Sequence, residues 1–318
     1  MIPALVLTAG LATRLRPLSL VRAKAAVPVA GQPLITRILR QLRAAGITEV
    51  VLNLHHLPHT LTRVVGDGSD LGMRIRYSWE MPILGSAGGP RQALPLLGTP
   101  TFLIVNGDTL AEIDIDAMVA AHRRSGALVT MAAVPNEEPQ KYGGIVVGAG
   151  GVVAGFAKRG TSHSAHHFVG LQVAEAAAFA SLEAGTPYES VTAVYPALIS
   201  DRPGSVRAHV CRAEFFDIGT PGDYLRTSLL LMRRERIALP RGARTRVDAT
   251  ARVEESILWD DVDVGAGSML RSCIVADGAR VPRDTSWTGV TLRPATGELA
   301  PGERHVGELA VAPLDRVP

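Results

Sequence analysis

The residues best equipped for chemistry stand near the start of the 318-residue chain. Leu5, Val6 and Leu7 read as a short buried strand. Thr8, Ala9, Gly10, Leu11, Ala12 and Thr13 follow as a small-residue loop, and Arg14, Arg16 and Lys24 come after it. Small residues let backbone N–H groups approach an anion closely. Guanidinium and ammonium groups supply the opposing charge. This set suits the gripping of a polyphosphate, as in a nucleoside triphosphate. Two carboxylates accompany it. Asn106-Gly107-Asp108 closes an apolar run, and Asp217 opens Asp217-Ile218-Gly219-Thr220. Mg²⁺ takes one or two carboxylates plus substrate phosphates rather than an all-protein cage. Asp108 and Asp217 are therefore the candidate metal ligands. Asp108 also has the plainer reading of a helix cap or turn residue, and Asp217 that of a turn residue before Gly219.

Such a loop has to be held by a framework, and the apolar spacing supplies one. Residues 4–8, 49–54, 73–79, 101–105 and 127–134 read as strands. Between them, 33–45, 58–65, 89–97 and 115–124 read as helices. The first has Leu34, Ile35, Ile38, Leu39 and Leu42 on one face and Gly46 at its stop. This alternation predicts an α/β fold, a mixed, mostly parallel sheet flanked by helices. Ligands of such sheets bind beyond the carboxyl ends of the strands, where the loop and Asp108 fall. Residues 142–173 change to short strands and glycine turns, with a polar His-containing loop at 161–167. Helical runs are predicted over 174–182 and 224–237. After Pro240, Val247 and Val253, Leu258 and Val264, Val264 and Leu270, and Val275 and Val281 are spaced alike, six residues apart. A six-residue period predicts a short left-handed parallel β-helix, with a small ordinary β-domain as the alternative. The division expected is 1–237 and 238–318, with 293–318 as a Pro-, Gly- and charge-rich tail that packs loosely or against another subunit.

Composition narrows the function. Hydrophobic residues at 47% and charged residues at 20% are those of a soluble globular protein. Aromatics at 4% and a net charge of +3 speak against nucleic acid as the partner. No run is long enough to cross a membrane and no signal-like segment opens the chain, so a cytoplasmic location is the default. Cys211 and Cys273 indicate neither a disulfide framework nor a zinc site. His55, His56 and His59, and His163, His166 and His167, have no Cys or acidic ligand at metal spacing and read as solvated loops. The first loop lacks the third glycine of a dinucleotide-binding turn, and no acidic residue ends the second strand.

Taken in order, these motifs resemble those of the sugar-1-phosphate nucleotidyltransferases. The opening loop reads Gly10-Leu11-Ala12-Thr13-Arg14-Leu15-Arg16-Pro17-Leu18-Ser19 and is followed by Lys24 to Val29. Then come Glu80 with Leu84-Gly85-Ser86-Ala87-Gly88, Asn106-Gly107-Asp108, Tyr142-Gly143-Gly144 and Asp217-Ile218-Gly219-Thr220. The resemblance covers about residues 1–237 and implies a Rossmann-like sheet, often with a C-terminal β-helix. It implies that Thr8, Ala9, Gly10, Leu11, Ala12, Thr13, Glu80, Gly85, Ser86 and Ala87 bind the nucleotide, with Glu80 reading the base. Arg14 would grip the β- and γ-phosphates, and Lys24 would neutralise the departing pyrophosphate. Asp108 and Asp217 would hold Mg²⁺. Asn106, Gly143, Gly144, Lys158, Arg159 and Gly170 would bind the sugar phosphate. A carboxylate at Glu80 suits the N1–H and N2–H₂ of guanine, which favours GTP and mannose-1-phosphate over a UTP-dependent reaction. Three departures stand out. Ala12 replaces a glycine, Ala23 replaces a proline, and Lys158 stands where a sugar-holding Glu is common. A non-catalytic, nucleotide-sugar-binding regulatory subunit is the reading from another class. The β-helix also allows a homo-oligomer.

Overall fold

Strands Ala4–Leu7, Glu49–Leu54 and Thr101–Asn106 are almost wholly buried, as strands covered on both faces must be. A computed structural model describes residues 2–161, 165–238 and 241–314. By internal packing the chain forms two units. The first is Met1–Gly10 with Ile35–Phe216, and the second is Leu11–Leu34 with Asp217–Pro318.

The first unit is built on one sheet. Its strands run Val153–Ala157, Gly144–Val147, His166–Glu175, Thr101–Asn106, Ala4–Leu7, Glu49–Leu54 and Arg74–Trp79, and Val129–Pro135 and Val206–Val210 continue it from His166–Glu175. The last four in the main path are mutually parallel. His166–Glu175 is antiparallel to both Thr101–Asn106 and Val129–Pro135. The expected mixed, mostly parallel sheet flanked by helices is present. Four carboxyl ends therefore emerge along one edge, followed by Thr8, His55, Glu80 and Gly107. Helix Leu34–Ala44 buries Leu34, Ile35, Ile38, Leu39 and Leu42, the face its spacing predicts. Phe102 and Phe179, with ring centroids 6.2 Å apart, and the fully buried Tyr195 anchor the core.

Two expectations are corrected. The helical run over 174–182 is instead the end of strand His166–Glu175 and a single 3₁₀ turn, Ala176–Ala178. Pairing on both sides of that strand overrides the helix propensity of its alanines. The tail at 293–318 is not loose over its described part. Arg304–Val306 and Leu309–Pro313 add antiparallel strands to the β-helix. Arg293 lies buried in a two-pronged pair with Glu303, at 2.8 and 2.6 Å.

The second unit contains a three-sided coil. Val247 pairs with Val264 and Val264 with Val281; Val253 pairs with Leu270 and Leu270 with Trp287; Leu258 pairs with Val275 and Val275 with Leu292. Each step is 17 residues, as the matching cross-coil hydrogen bonds also record. The six-residue spacing thus holds along two sides, and the third step is one residue shorter. Val264, Leu270, Val275 and Val281 fill the centre. Left-handed backbone recurs at the corners, at Glu255, Ser272 and Gly289.

Residues Leu11–Leu34 pack with this coil through a polar knot. Arg22 donates from Nε to Asp277 Oδ2 at 2.6 Å, and from Nη2 to Asp277 Oδ1 at 2.7 Å and Asp260 Oδ2 at 2.6 Å. Its guanidinium lies 5.3 Å from the Trp259 ring centroid. The indole N–H donates to the Tyr224 hydroxyl at 2.9 Å, which donates to the Pro28 carbonyl at 2.5 Å. These contacts are why packing groups 11–34 and helix Pro221–Glu235 with the coil, whereas the sequence suggests a break at 237. Replacing Arg22 by Ala leaves two carboxylates without their cation. We expect a loss of about 2 kcal/mol of stability, below the value for a fully buried pair because both aspartates keep some solvent. Thermal unfolding of Arg22→Ala against wild type measures it.

Candidate nucleotide and sugar-phosphate site

Thr8 and Ala9 follow the first buried strand, and their amides need acceptors. Asn53 supplies one. Its Oδ1 accepts from Thr8 N at 2.5 Å and from Ala9 N at 3.3 Å, and its carbonyl accepts from the Thr8 hydroxyl. Its Nδ2 donates to Glu80 Oε1 at 2.7 Å, while Glu80 Oε2 accepts from Leu84 N at 2.8 Å. Asn53 and Glu80 are each 3% exposed. Glu80, expected to read the base, is thus tied to Asn53 and Leu84. Both of its oxygens are already engaged and its side chain is enclosed, so it holds the protein's own loops. Ala87 is buried and its amide donates to the Tyr188 carbonyl. Ser86 donates to Glu189 Oε2 at 2.6 Å and accepts from Ser190 N at 2.8 Å. Gly85 stands against Glu189 and Tyr188. Gly10, by contrast, is exposed, as an anion-binding turn requires.

The next strand end carries Asn106-Gly107-Asp108. Gly107 donates to the Leu7 carbonyl at 2.9 Å. A Cβ there would lie 2.6 Å from that oxygen and 2.7 Å from Thr8 Cγ2, so only glycine brings the Asp108 backbone this close to the first loop. Asp108 is half-buried, and its Oδ1 accepts from the Thr109 hydroxyl at 3.1 Å. Asn106 packs against Gly170, whose φ of +81° and tight fit both exclude a side chain. These two expected sugar-phosphate residues are thus brought together. Gly144 packs on Ala165, and exposed Gly143 presents its carbonyl to His167. Lys158 and Arg159 lie exposed after strand Val153–Ala157.

Three rings gather nearby: Tyr142 to His167 at 4.3 Å, His167 to Phe215 at 4.7 Å and Tyr142 to Phe215 at 5.4 Å. Burial holds the His167 pKa below the ordinary histidine value, so the ring favours its neutral form. The rings line a cleft of about 750 Å³ that also presents Asn136, Glu138 and Arg212. Of the expected histidine loop, His163 lies outside the described residues. Asn53 was not among the expected residues. Its signal is a lone amide inside the apolar run Glu49–Leu54.

In the second unit, Ala12 adopts left-handed backbone, φ 48° and ψ 47°, and its carbonyl accepts from Leu15 N at 3.0 Å and from the Ser19 hydroxyl at 2.9 Å. The loop reaches its glycine-type conformation without the glycine. Thr13 and Arg14 beyond it are exposed, and half-buried Lys24 opens the turn Lys24–Ala26. Arg14 and Asp217 converge at Gly219. A Cβ on that glycine would stand 2.8 Å from Asp217 Oδ2 and 3.0 Å from Arg14 Nη1. Thr220 then caps helix Pro221–Glu235 by accepting from Asp223 N at 3.1 Å. A cationic fork beside a carboxylate can take a phosphate on one and a hard cation on the other.

A family model for nucleotidyl transferases matches residues 3–233. The chain belongs to that family. A second model, for the GlmU-like C-terminal hexapeptide, matches residues 241–291 of the transferase, and the three-sided coil is the left-handed β-helix of such repeats. The mannose-1-phosphate guanylyltransferase of Mycobacterium tuberculosis is 29% identical over 291 residues, 88% of this chain and 81% of that one. The N-acetylmuramate alpha-1-phosphate uridylyltransferase of Neisseria meningitidis is 47% identical over 116 residues, covering 36% of this chain and 50% of that one. Among solved structures, HddC from Yersinia pseudotuberculosis, complexed with GMP-PN, gives a TM-score of 0.64 at 21% identity. It covers 73% of this chain and 100% of its own, a likeness of fold. The transferase acts on a sugar-1-phosphate. Among its described residues no helix is long and apolar enough to cross a membrane.

Two substitutions probe the loop. Gly219→Ala pushes Asp217 and Arg14 apart, and we expect turnover to fall about tenfold or more, or ~1.4 kcal/mol of barrier. Steady-state kinetics measures it. Ala12→Gly relieves left-handed backbone on a residue with a Cβ and should raise stability by about 0.5–1 kcal/mol, read as a higher unfolding midpoint.

Proposed function

We propose that the protein transfers GMP from GTP to mannose-1-phosphate, giving GDP-mannose and pyrophosphate. The observation that carries this reading is the meeting of Arg14 and Asp217 at Gly219, in a loop continuous with the exposed Gly10 turn. Gly10 and Leu11 offer backbone N–H groups to the phosphates. Arg14 binds the β- and γ-phosphates and Lys24 the charge that grows on pyrophosphate. Asn106 and Gly170 receive the sugar phosphate, with Gly143, Gly144, Lys158 and Arg159 around it.

A phosphate oxygen of the sugar-1-phosphate attacks the α-phosphorus. A new P–O bond forms as the bond from the α-phosphorus to the bridging oxygen breaks, and that electron pair leaves with pyrophosphate. The nucleophile is already ionised at neutral pH, so no general base is required. Positioning and charge neutralisation supply the rate. The donor set fits Mg²⁺: Asp108 and Asp217 offer hard carboxylate oxygens, and the substrates supply the phosphates. When bound, the ion would supply charge neutralisation at the phosphates, with Asp108 and Asp217 as its holders.

The choice of GTP and mannose-1-phosphate is supported by the relatives named for that reaction. The uridylyltransferase relatives make UTP the competing donor. The hexapeptide coil supports self-association through residues 241–291.

Pyrophosphate release from each of five nucleoside triphosphates against several sugar-1-phosphates, with and without Mg²⁺, tests the proposal. Release is expected with GTP and mannose-1-phosphate and to depend on Mg²⁺. Release confined to UTP pairs transfers the reading to a uridylyltransferase, and release with no pair favours a binding-only subunit. Asp108→Asn and Asp217→Asn should each lower kcat/KM by about a thousandfold, or ~4 kcal/mol, with unchanged circular dichroism.

A further inference from the structure

The contacts between Asn53 and Glu80 form a directed chain whose polarity is set by chemistry. Backbone N–H groups of Thr8, Ala9 and Leu84 can only donate. An ionised carboxylate can only accept. The Asn53 amide is therefore oriented without ambiguity, with Oδ1 toward Thr8 and Ala9 and Nδ2 toward Glu80 Oε1. Glu80 Oε2 completes the chain at Leu84 N. Three adjacent parallel strand ends are joined: the loop residues 8–9, residue 53 near the end of strand Glu49–Leu54, and the loop residues 80–84. Helix Gly85–Leu97 closes over them. A Cβ on Gly89 would lie 2.7 Å from Glu80 Oε1 and 3.0 Å from Asn53 Nδ2, so the bonds are shielded from water. The Glu80 amide donates to the Leu54 carbonyl at 2.9 Å, and its carbonyl lies 2.9 Å from His55 Nδ1.

We propose that Asn53 and Glu80 are positioning residues for nucleotide binding. They fix the orientation of the Thr8–Ala9 peptides, and through them the exposed turn at Gly10, without touching the nucleotide themselves. This rests on the reading of that turn as the nucleotide site. A carboxylate is needed at 80 because two donors converge on it from opposite sides. Glutamine offers one oxygen and turns an N–H against a donor. Aspartate at 53 sets two carboxylates against each other at 2.7 Å. Making both changes inverts only the central bond: the glutamine amide donates to the new carboxylate, and the outer bonds to Thr8, Ala9 and Leu84 are kept.

The test compares Asn53→Asp, Glu80→Gln and the double variant N53D/E80Q. Three quantities are read: unfolding midpoint, binding of fluorescent GTP and UTP analogues without sugar phosphate, and kcat and KM for each substrate. Each single change is expected to weaken nucleotide binding tenfold or more and to raise the nucleoside triphosphate KM in parallel. The sugar-1-phosphate KM should stay within twofold. The double variant is expected within threefold of wild type in binding. Single variants that lose unfolding temperature but bind the analogues normally would overturn the inference, as would a double variant no better than either single. If wild type binds an analogue but turns over no substrate pair, and the pattern of loss and recovery still appears, the positioning inference stands and the proposed reaction falls. A wild type that binds neither analogue overturns both.

Discussion

In a parallel sheet all strands deliver their carboxyl ends to one edge, and the polar backbone groups that emerge there must be held by the protein before they can serve a ligand. The rest of the first unit answers to that constraint. Asn53 takes the Thr8 and Ala9 amides, Glu80 takes Asn53 and the Leu84 amide, and Gly107 donates to the Leu7 carbonyl. Only then is the turn at Gly10 left exposed in a defined shape. A buried carboxylate is costly when unpaired. Glu80 has donors on both oxygens, which makes burial tolerable and its placement rigid.

The second unit solves a related problem with charge. Residues Leu11–Leu34 hold little regular structure beyond short 3₁₀ turns and a two-residue hairpin. Their order comes from Arg22 between Asp260 and Asp277, from the Trp259–Tyr224–Pro28 chain, and from the bonds closing on the Ala12 carbonyl. The β-helix is thus more than a repeat module appended to the catalytic segment. Its corner aspartates carry the contacts that order the segment bearing Arg14 and Lys24.

Membership of the nucleotidyl transferase family and the hexapeptide repeat agree with this division of labour. The residues proposed to receive the sugar phosphate follow the same logic of close approach. Gly170 admits Asn106, and the ring group of Tyr142, His167 and Phe215 borders a cleft with polar side chains of both signs.

Much of this was legible without coordinates. Buried strands announce themselves as unbroken apolar runs, as in Thr101–Asn106, and helix Leu34–Ala44 by its stripe, because burial acts residue by residue. Residues 8–13, Asp108 and Asp217 stand out in the sequence as candidates because phosphate and metal chemistry admits few residue types. What the chain's own pattern left open depended on partners distant in sequence. Nothing next to Glu80 in the sequence announces that Asn53 and Leu84 both donate to it. The alanines at 174–178 looked helical until pairing extended the strand through Glu175. Arg22 finds its carboxylates in a coil more than two hundred residues away, where no local pattern points to them. Local composition determined which elements form and which chemistry the chain can carry. Tertiary structure decided which polar groups are consumed in holding the fold and which remain for a ligand, because a hydrogen bond needs both of its partners in place.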